Sequence, residues 1–378
     1  MKNIFLWLLF GTTTLFAQEY LNGVDVSVEY TSTYQGDSSD AQSYAYGGKF
    51  DSFINLDSNK LGLWKDGKVM SHIEYRHGSS NSFLGDTLLP VNSATILPIS
   101  SPHIVVVSSL YLAQKLSVDS TLLVGKFNVV DFLKDDPFWG GWGNHRFMNV
   151  AFVAPPSGVL PPTIFGAILK HKFSNSDLTF MIYDPNDRTL EYLPNDLFDD
   201  GLNISLALKS TFDKTTVSIN GIYSTKEGTD LSTIMREDDN SLKTITKSGS
   251  YNLSLQVSHL LYNDTMKNFG IYGKINLSDG NPNLIKGSFI GGIAAKGMLF
   301  NRPNDSFGLG YFYYDWSEAL KDSLTGVKNV DYESGVEMYY NYEATKWLHI
   351  SADVQYIDGA FKDYDNALIF SLRTNIRF

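Results

Sequence analysis

Cysteine is absent from this chain of 378 residues, which excludes disulfide frameworks, cysteine-ligated zinc or iron–sulfur sites and thiol catalysis. Basic residues are scarce, since 30 Lys and Arg stand against 41 Asp and Glu, a formal net charge of −11. A nucleic-acid partner would need a basic face, so none is expected. Only 12 residues are proline, whereas 31 are glycine and 14% are aromatic. This composition favours a β protein whose aromatic side chains face something other than water.

Long apolar runs are lacking once the first residues are passed. A short basic start, the apolar segment 4–10 and small residues up to Ala17 predict a secretory signal peptide over residues 1–17. The rest, residues 18–378, is expected to be a single domain. No later segment approaches the roughly 20 apolar residues that a membrane-spanning helix needs. Any crossing of a membrane must therefore be made by strands.

Apolar and polar side chains alternate along many segments. At the C-terminus, Leu368, Phe370, Leu372 and Phe378 share one face of a strand, and Arg373 lies on the other. Period-two alternation indicates strands with different surroundings on their two sides. Half-buried sheets of a soluble β domain fit this pattern, and so does a barrel with lipid outside and water inside. Aromatic residues near the strand ends resemble interfacial girdles and favour the transmembrane antiparallel β-barrel.

Sixteen such segments can be counted, and an even number closes a single-chain antiparallel barrel. A barrel of this size leaves an aqueous channel. Tight turns at Asp66-Gly67, Asp213 and Ala344-Thr345 are expected at the periplasmic end, and longer connections such as 78–103, 129–162 and 225–248 outside. The predicted strands are residues 23–31, 43–56, 68–77, 104–116, 121–128, 163–173, 177–184, 202–212, 214–224, 249–260, 267–277, 287–299, 306–316, 331–343, 346–357 and 366–378.

The connection 129–162 contains too many aromatic residues to be fully exposed to water, so we expect it to fold into the channel mouth as a constriction. Its sequence and that of the C-terminal half resemble the carbohydrate-selective porins of the OprB family. The resemblance rests on Val124-Gly125-Lys126-Phe127, Asp131-Phe132, Arg146-Phe147-Met148-Asn149, Pro155-Pro156-Ser157-Gly158, Gly308-Leu309-Gly310-Tyr311, Trp347-Leu348, Asp353-Val354-Gln355-Tyr356 and the final segment 372–378. In the middle of the chain, about 185–285, only the strand pattern matches.

The resemblance implies a 16-stranded barrel of the bacterial outer membrane that passes monosaccharides such as glucose by facilitated diffusion. Planar Arg donors and carboxylate acceptors suit sugar hydroxyls, and Trp rings suit the apolar faces of the sugar. Transport requires weak, multi-site binding. The candidate substrate-binding residues are Lys49, Asp51, Glu74, Arg76, Lys126, Asp131, Trp139, Trp142, His145, Arg146 and Asn149. For each of these residues the alternative is a structural role, either in an ion pair of the barrel wall or in packing of the loop onto the wall.

Two other functions remain open from sequence. A general or cation-preferring diffusion porin would have the same barrel but no sugar selectivity. An enzyme on a barrel is disfavoured, because no nucleophile-elbow or HExxH motif occurs and His72 and His77 lie on opposite faces of one strand. No catalytic residue, metal or cofactor is expected. The expected partners are sugars, outer-membrane lipids and the barrel assembly machinery, which would contact the strand ending in Phe378. A homo-oligomer is compatible with the pattern.

Overall fold

The computed structural model describes residues 22–38, 44–79, 84–93, 103–133, 136, 138, 144–153, 160–234 and 245–378. Within these ranges, sixteen antiparallel strands form one closed barrel, in which neighbours in sequence pair and the first strand pairs with the last. The strands are β1 (Val24–Asp37), β2 (Tyr44–Asp57), β3 (Gly67–Gly78), β4 (His103–Lys115), β5 (Ser120–Asn128), β6 (Thr163–Lys172), β7 (Ser176–Tyr183), β8 (Asn203–Phe212), β9 (Thr215–Thr229), β10 (Thr246–Asn263), β11 (Asn268–Ser278), β12 (Ile285–Lys296), β13 (Ser306–Trp316), β14 (Glu333–Thr345), β15 (Leu348–Asp358) and β16 (Ala367–Arg377). The sixteen-stranded barrel predicted from alternation is confirmed.

The helices are short and lie in the connections. Helix α1 (Val150–Val153) follows β5, and α2 (Glu318–Leu324) joins β13 to β14. Single 3₁₀ turns occur at Leu84–Asp86, Val129–Leu133 and Leu231–Thr233. No helix in the described part of the chain is long and apolar enough to cross a membrane.

Burial alternates along the strands and identifies the two faces of the wall. On β14, Glu333 and Glu337 are buried, whereas Val336 and Met338 between and beside them are exposed. Successive side chains of a strand point to opposite faces, so the carboxylates face the inside of the barrel and the apolar side chains face outward. An apolar outer surface with a polar interior is the arrangement that a lipid bilayer requires of a barrel.

Several predicted strand ends are wrong. β1 was expected to end at residue 31 but pairs with β2 as far as Gly36 and with β16 as far as Asp37, because backbone pairing continues after the regular side-chain alternation has ended. Likewise, the predicted connection 225–248 shrinks, since β9 reaches Thr229 and β10 begins at Thr246. The pair expected to turn at 344–345 belongs to β14, and the chain reverses at 346–347 instead.

The predicted turns at Asp213 and Asp66 have a common backbone cause. Asp213 has a φ of 52° and Asp66 a φ of 59°, in the left-handed region that Asp tolerates better than most side chains. Asp213 closes a short reversal between β8 and β9, as predicted. Between β2 and β3 the connection runs over 58–66, and Gly67 already belongs to β3, so a two-residue turn there was wrong.

The two ends of the barrel carry connections of different length. At one end the strands are joined by short segments such as 116–119, 173–175 and 213–214, and at the other by segments such as 129–162 and 184–202. Outer-membrane barrels have short periplasmic turns and longer extracellular loops, which assigns the second end to the outside.

An apolar core lies inside the barrel, on one side of it. Buried side chains of the connections 79–102 and 129–162 pack there against inward-facing side chains of β11 to β16. The connection residues are Leu84, Val91, Phe138, Phe147, Ala151 and Phe152, and the wall residues include Tyr272, Ile290, Phe312, Tyr339 and Ile369. The interior is therefore partly filled by the chain itself.

Candidate functional site

Four of the predicted binding residues face the inside of the barrel on adjacent strands. Lys49 and Asp51 lie on β2, and Glu74 and Arg76 lie on β3. The register places Lys49 opposite Arg76 and Asp51 opposite Glu74. Residues two apart on a strand share a face, so the antiparallel pairing brings all four charged side chains into one patch.

These four charges neutralise one another. The Lys49 Nζ lies 3.2 Å from Asp51 Oδ1, and Arg76 donates to Glu74 Oε2 through Nε at 2.7 Å and Nη2 at 2.5 Å. Lys49, Asp51 and Glu74 are almost completely buried, while 13% of the Arg76 side chain is exposed. Buried charges need such partners, because an unpaired charge away from water is strongly unfavourable. The patch is therefore an ion-pair cluster in which only Arg76 reaches an open surface.

His72 joins this cluster to the long connection after β5. Its Nε2 lies 3.1 Å from Asp51 Oδ1, and its Nδ1 lies 3.2 Å from Oδ1 of Asp131, a predicted site residue. The second carboxylate oxygen of Asp131 accepts a hydrogen bond from Ser109 at 2.6 Å. Asp131 is thus held against the wall where its connection begins.

The same cluster contains the donor set of a candidate metal site. Ligand atoms of Asp51, His72 and Glu74 lie within 4.8 Å of one another. However, Lys49 and Arg76 already contact these carboxylates. Both carboxylates of the donor set are therefore already paired with a cationic side chain, so the arrangement favours an ion-pair network over a bound cation.

The segment 144–145 of the long connection contacts the wall at β1 and β2. Asn144 donates to Glu29 at 2.7 Å and to Asp51 at 3.3 Å. The His145 Nε2 lies 3.1 Å from the Glu29 carboxylate and 2.8 Å from Arg377 Nη2. Burial lowers the pKa of His145 to about 4, against the opposing effect of Glu29, so the ring is neutral at pH 7.

The next residues of this connection are fastened to β14 and β15. Glu337 accepts hydrogen bonds from the backbone N–H groups of Met148 and Asn149, the second at 3.0 Å. The Asn149 side chain donates to Gln355 at 3.1 Å, and Gln355 donates to the carbonyl of Val91 at 3.0 Å. The wall therefore binds both connections through two polar side chains, Glu337 and Gln355.

The two connections also bind each other directly. The Ser93 N–H donates to the Met148 carbonyl at 2.7 Å, and the Val150 N–H donates to the Pro90 carbonyl at 3.2 Å. Glu333, four residues before Glu337 on β14, accepts from the Leu88 N–H at 2.9 Å. Segments 84–93 and 144–153 thus form one layer against the inner wall.

Aromatic side chains of this layer pack against the same inner wall. Phe147 stacks on Phe152 with ring centroids 4.3 Å apart and meets Tyr339 edge-on at 4.9 Å. β13 has glycine where these rings lie. A Cβ at Gly308 would be 2.8 Å from the Phe147 ring, and one at Gly310 would collide with Phe152. The Gly308-Leu309-Gly310 motif therefore makes room for the connection.

The remaining predicted residues are placed differently. Lys126 belongs to another contact, where its Nζ donates to the carbonyls of Thr189 at 3.2 Å and Glu191 at 2.5 Å in the connection 184–202. Asn149 is buried, and Arg146 is half-buried. Trp139 and Trp142 lie outside the described residues.

Five polar residues of this site were not predicted as site residues from the sequence. They are Glu29, His72, Asn144, Glu337 and Gln355, and all but Asn144 lie on strands. Their signal was a charged or amide side chain on the polar face of an alternating strand. That signal is common to most inward positions of the barrel, so it could not single out the residues that the connections contact.

Comparison with known proteins agrees with this architecture. The family model "Carbohydrate-selective porin, OprB family" matches residues 41–378. Porin B of Pseudomonas aeruginosa is 24% identical over 132 residues, which are 30% of this chain and only 29% of that protein's length. The high-pH structure of Pseudomonas putida OprB superposes with a TM-score of 0.80 at 16% identity, over 98% of this chain and 97% of the other. The trimer form of Vibrio cholerae OmpT, folded in vitro, gives a TM-score of 0.54 at 13% identity, over 94% and 99% of the two chains.

A closed sixteen-stranded barrel with an apolar outer face and charged side chains inside defines a porin of the outer membrane. Family and fold are those of channels and not of enzymes. Because the family model covers nearly the whole sequence, the chain belongs to the OprB family of carbohydrate-selective porins.

Proposed function

We propose that this chain is a channel for the facilitated diffusion of carbohydrates, with monosaccharides such as glucose as the preferred solutes. The connection 129–162 is its constriction. The observation that carries this proposal is the fastening of residues 144–149 to inward-facing side chains at two places, Glu29 and Asp51 on one side and Glu337 on the other. A segment bound along the inner wall narrows the aqueous cross-section.

Accessibility divides the candidate binding residues that the structure describes into two groups. Lys49, Asp51, Glu74, Lys126 and Asn149 are buried, and their polar atoms contact the protein. We assign these residues to holding the wall and the connections in place.

Arg76, Asp131, His145 and Arg146 keep part of their surface open, with 23% of the His145 side chain exposed. We assign solute contact to these four residues. They offer guanidinium donors and a carboxylate acceptor, the groups that match sugar hydroxyls. Weak contacts of this kind allow the solute to leave again.

Planar-bilayer conductance tests this function. The refolded protein is titrated with glucose and then with a disaccharide, and glucose is expected to give saturable, reversible block of the ion current. Arg146→Ala should weaken the block, because it removes a donor from the narrow part. Lys65→Ala, which removes a cation from the short connection between β2 and β3, should leave the block unchanged.

Open channels that are indifferent to every sugar would refute the proposal. The barrel and its family would stand, but the function would become that of a general diffusion porin. The reversal potential in a salt gradient then decides whether this pore prefers cations, as an acid excess in its interior would cause.

We further propose the partners and processing expected from the sequence. Residues 1–17 act as a signal peptide, and outer-membrane lipids cover the outward apolar side chains. The barrel assembly machinery contacts the last strand, where the exposed Phe378 donates its N–H to the Val28 carbonyl at 2.9 Å at the seam. A homo-oligomer is compatible with this fold, and crosslinking in native membranes measures its size.

A further inference from the structure

A cavity of about 660 Å³ lies among the extracellular ends of the strands. We call it the entrance chamber. It is lined by the first residues of β8, β10 and β12, the last part of β9 and the end of β13, together with segments of the extracellular connections. This volume falls in the range of about 300–1,000 Å³ that is typical of small-molecule sites. None of the residues assigned above to solute contact lines it.

The lining of the entrance chamber is divided into a polar side and an apolar side. Lys226, Glu227 and Asn283 contribute polar atoms to the lining. The rest of the polar side is Asn203, Ser224 and Ser250, and the register places Asn203 and Ser250 on either side of Ser224. They therefore form one row of hydroxyl and amide groups across β8, β9 and β10.

The apolar side is larger and comes from β13, α2 and the connections. It includes Trp316, Leu320, Leu324 and Leu284. The Trp316 ring is buried, and together with the leucines it forms an apolar wall of the chamber.

A free hexose is a poor match for this lining, because its hydroxyl groups extend around the whole edge of the ring, whereas the chamber offers hydrogen-bond partners mainly along one wall. A solute with a sugar at one end and a flat apolar group at the other matches both walls. We propose that the entrance chamber binds glycosides with an apolar aglycone. The sugar lies on the row from Asn203 to Ser250, and the aglycone lies against Trp316 and the leucines. This proposal rests on the carbohydrate-channel function and adds a second binding site to it.

Block of the ion current measures this preference. Phenyl β-D-glucoside, D-glucose and benzyl alcohol are compared on the full-length protein in planar bilayers. The phenyl glucoside is expected to block at about tenfold lower concentration than glucose, a difference of about 1.4 kcal/mol. That corresponds to roughly 55 Å² of aglycone surface removed from water at about 25 cal/mol per Å².

A double variant, Leu284→Asn with Leu324→Asn, makes the apolar side polar. It should lose most of the tenfold preference and keep the wild-type block by glucose. Leu193→Asn is the matched control, because this leucine is 87% exposed on the connection 184–202 and does not line the chamber. The control should keep the preference. Heat-modifiable electrophoretic mobility shows that each variant forms the barrel.

The outcomes separate the two proposals. Glucose block without any preference for the phenyl glucoside, or a preference unchanged in the folded double variant, overturns the entrance chamber and leaves the sugar channel standing. Benzyl alcohol competing as well as the phenyl glucoside overturns the glycoside assignment. Block by the phenyl glucoside alone, lost in the double variant, supports the chamber while refuting a glucose channel. If no solute blocks, calorimetric titration of wild-type protein with phenyl glucoside decides, and absence of binding overturns the proposal.

Discussion

Glu337 fastens the proposed constriction to the wall, and replacing it should release the connection. The carboxylate is fully buried and accepts the backbone N–H groups of Met148 and Asn149. Glu337→Ala removes both acceptors and leaves two donors without partners. At roughly 1–3 kcal/mol for each buried unsatisfied group, the docked state loses about 2–6 kcal/mol. Glu337→Gln keeps one acceptor oxygen and should show a smaller effect in the same direction.

This loss is large enough to change the channel. Each 1.4 kcal/mol shifts an equilibrium tenfold, so about 2–6 kcal/mol shifts the equilibrium between the docked and released states roughly 30-fold to 20,000-fold toward release. Single-channel recordings should show a higher open conductance and more current noise, since the connection then moves within the lumen. Glu343→Gln is the matched control, because Glu343 faces inward on the same strand nearer the periplasmic end. Wild-type conductance and noise in a folded Glu337→Ala barrel would refute the reasoning.

Two further predictions concern the β1–β3 wall. Asp51→Asn removes the carboxylate that pairs with Lys49 and leaves that ammonium buried beside an amide, so the free energy of unfolding should fall by about 3–5 kcal/mol in urea titrations. Docking of the connection should also depend on pH through His145. Its pKa is about 4 when docked and about 6.5 when released, so the released state binds more protons between these values. Current noise should therefore rise as the pH falls from about 6.5 to about 4.

Each of these predictions has an internal control. Asp25→Asn replaces an exposed carboxylate on neighbouring β1 and should change stability by no more than about 0.5 kcal/mol. An equal loss in both variants would contradict the ion-pair argument. For the pH effect, His145→Gln should lose the part of the dependence that belongs to this ring. A wild-type pH profile in that variant would assign the titration to another group.

The barrel was predictable because the side-chain alternation that indicates each strand is a local feature of the sequence. Each alternating segment reports one strand, and an even count is enough to infer closure. The strand ends were less accessible. The Ser32 and Tyr34 positions on β1 carry no clear alternation, yet their backbone pairs with Thr374 and Leu372 of β16. Hydrogen bonds between distant strands, and not side-chain polarity, determined where that strand stopped.

The contacts that the candidate site residues make were not predictable from sequence. Lys49 and Arg76 were both expected to meet a solute, and each contacts a carboxylate two residues away on its own strand, which leaves only Arg76 partly exposed. Lys126 was grouped with the same site, but it binds backbone carbonyls of another connection. Glu337 was not predicted as a site residue, because the connection that donates hydrogen bonds to it lies about 190 residues earlier in the chain.

The sequence by itself determined the all-β architecture, the strand number, the family and the location in the outer membrane, because side-chain alternation and short motifs are written along the chain. Only the tertiary structure decided which charges are buried in pairs and which remain open. Those outcomes depend on strand register and on the path of the connections inside the barrel. Both are set by hydrogen bonds and packing between residues far apart in sequence.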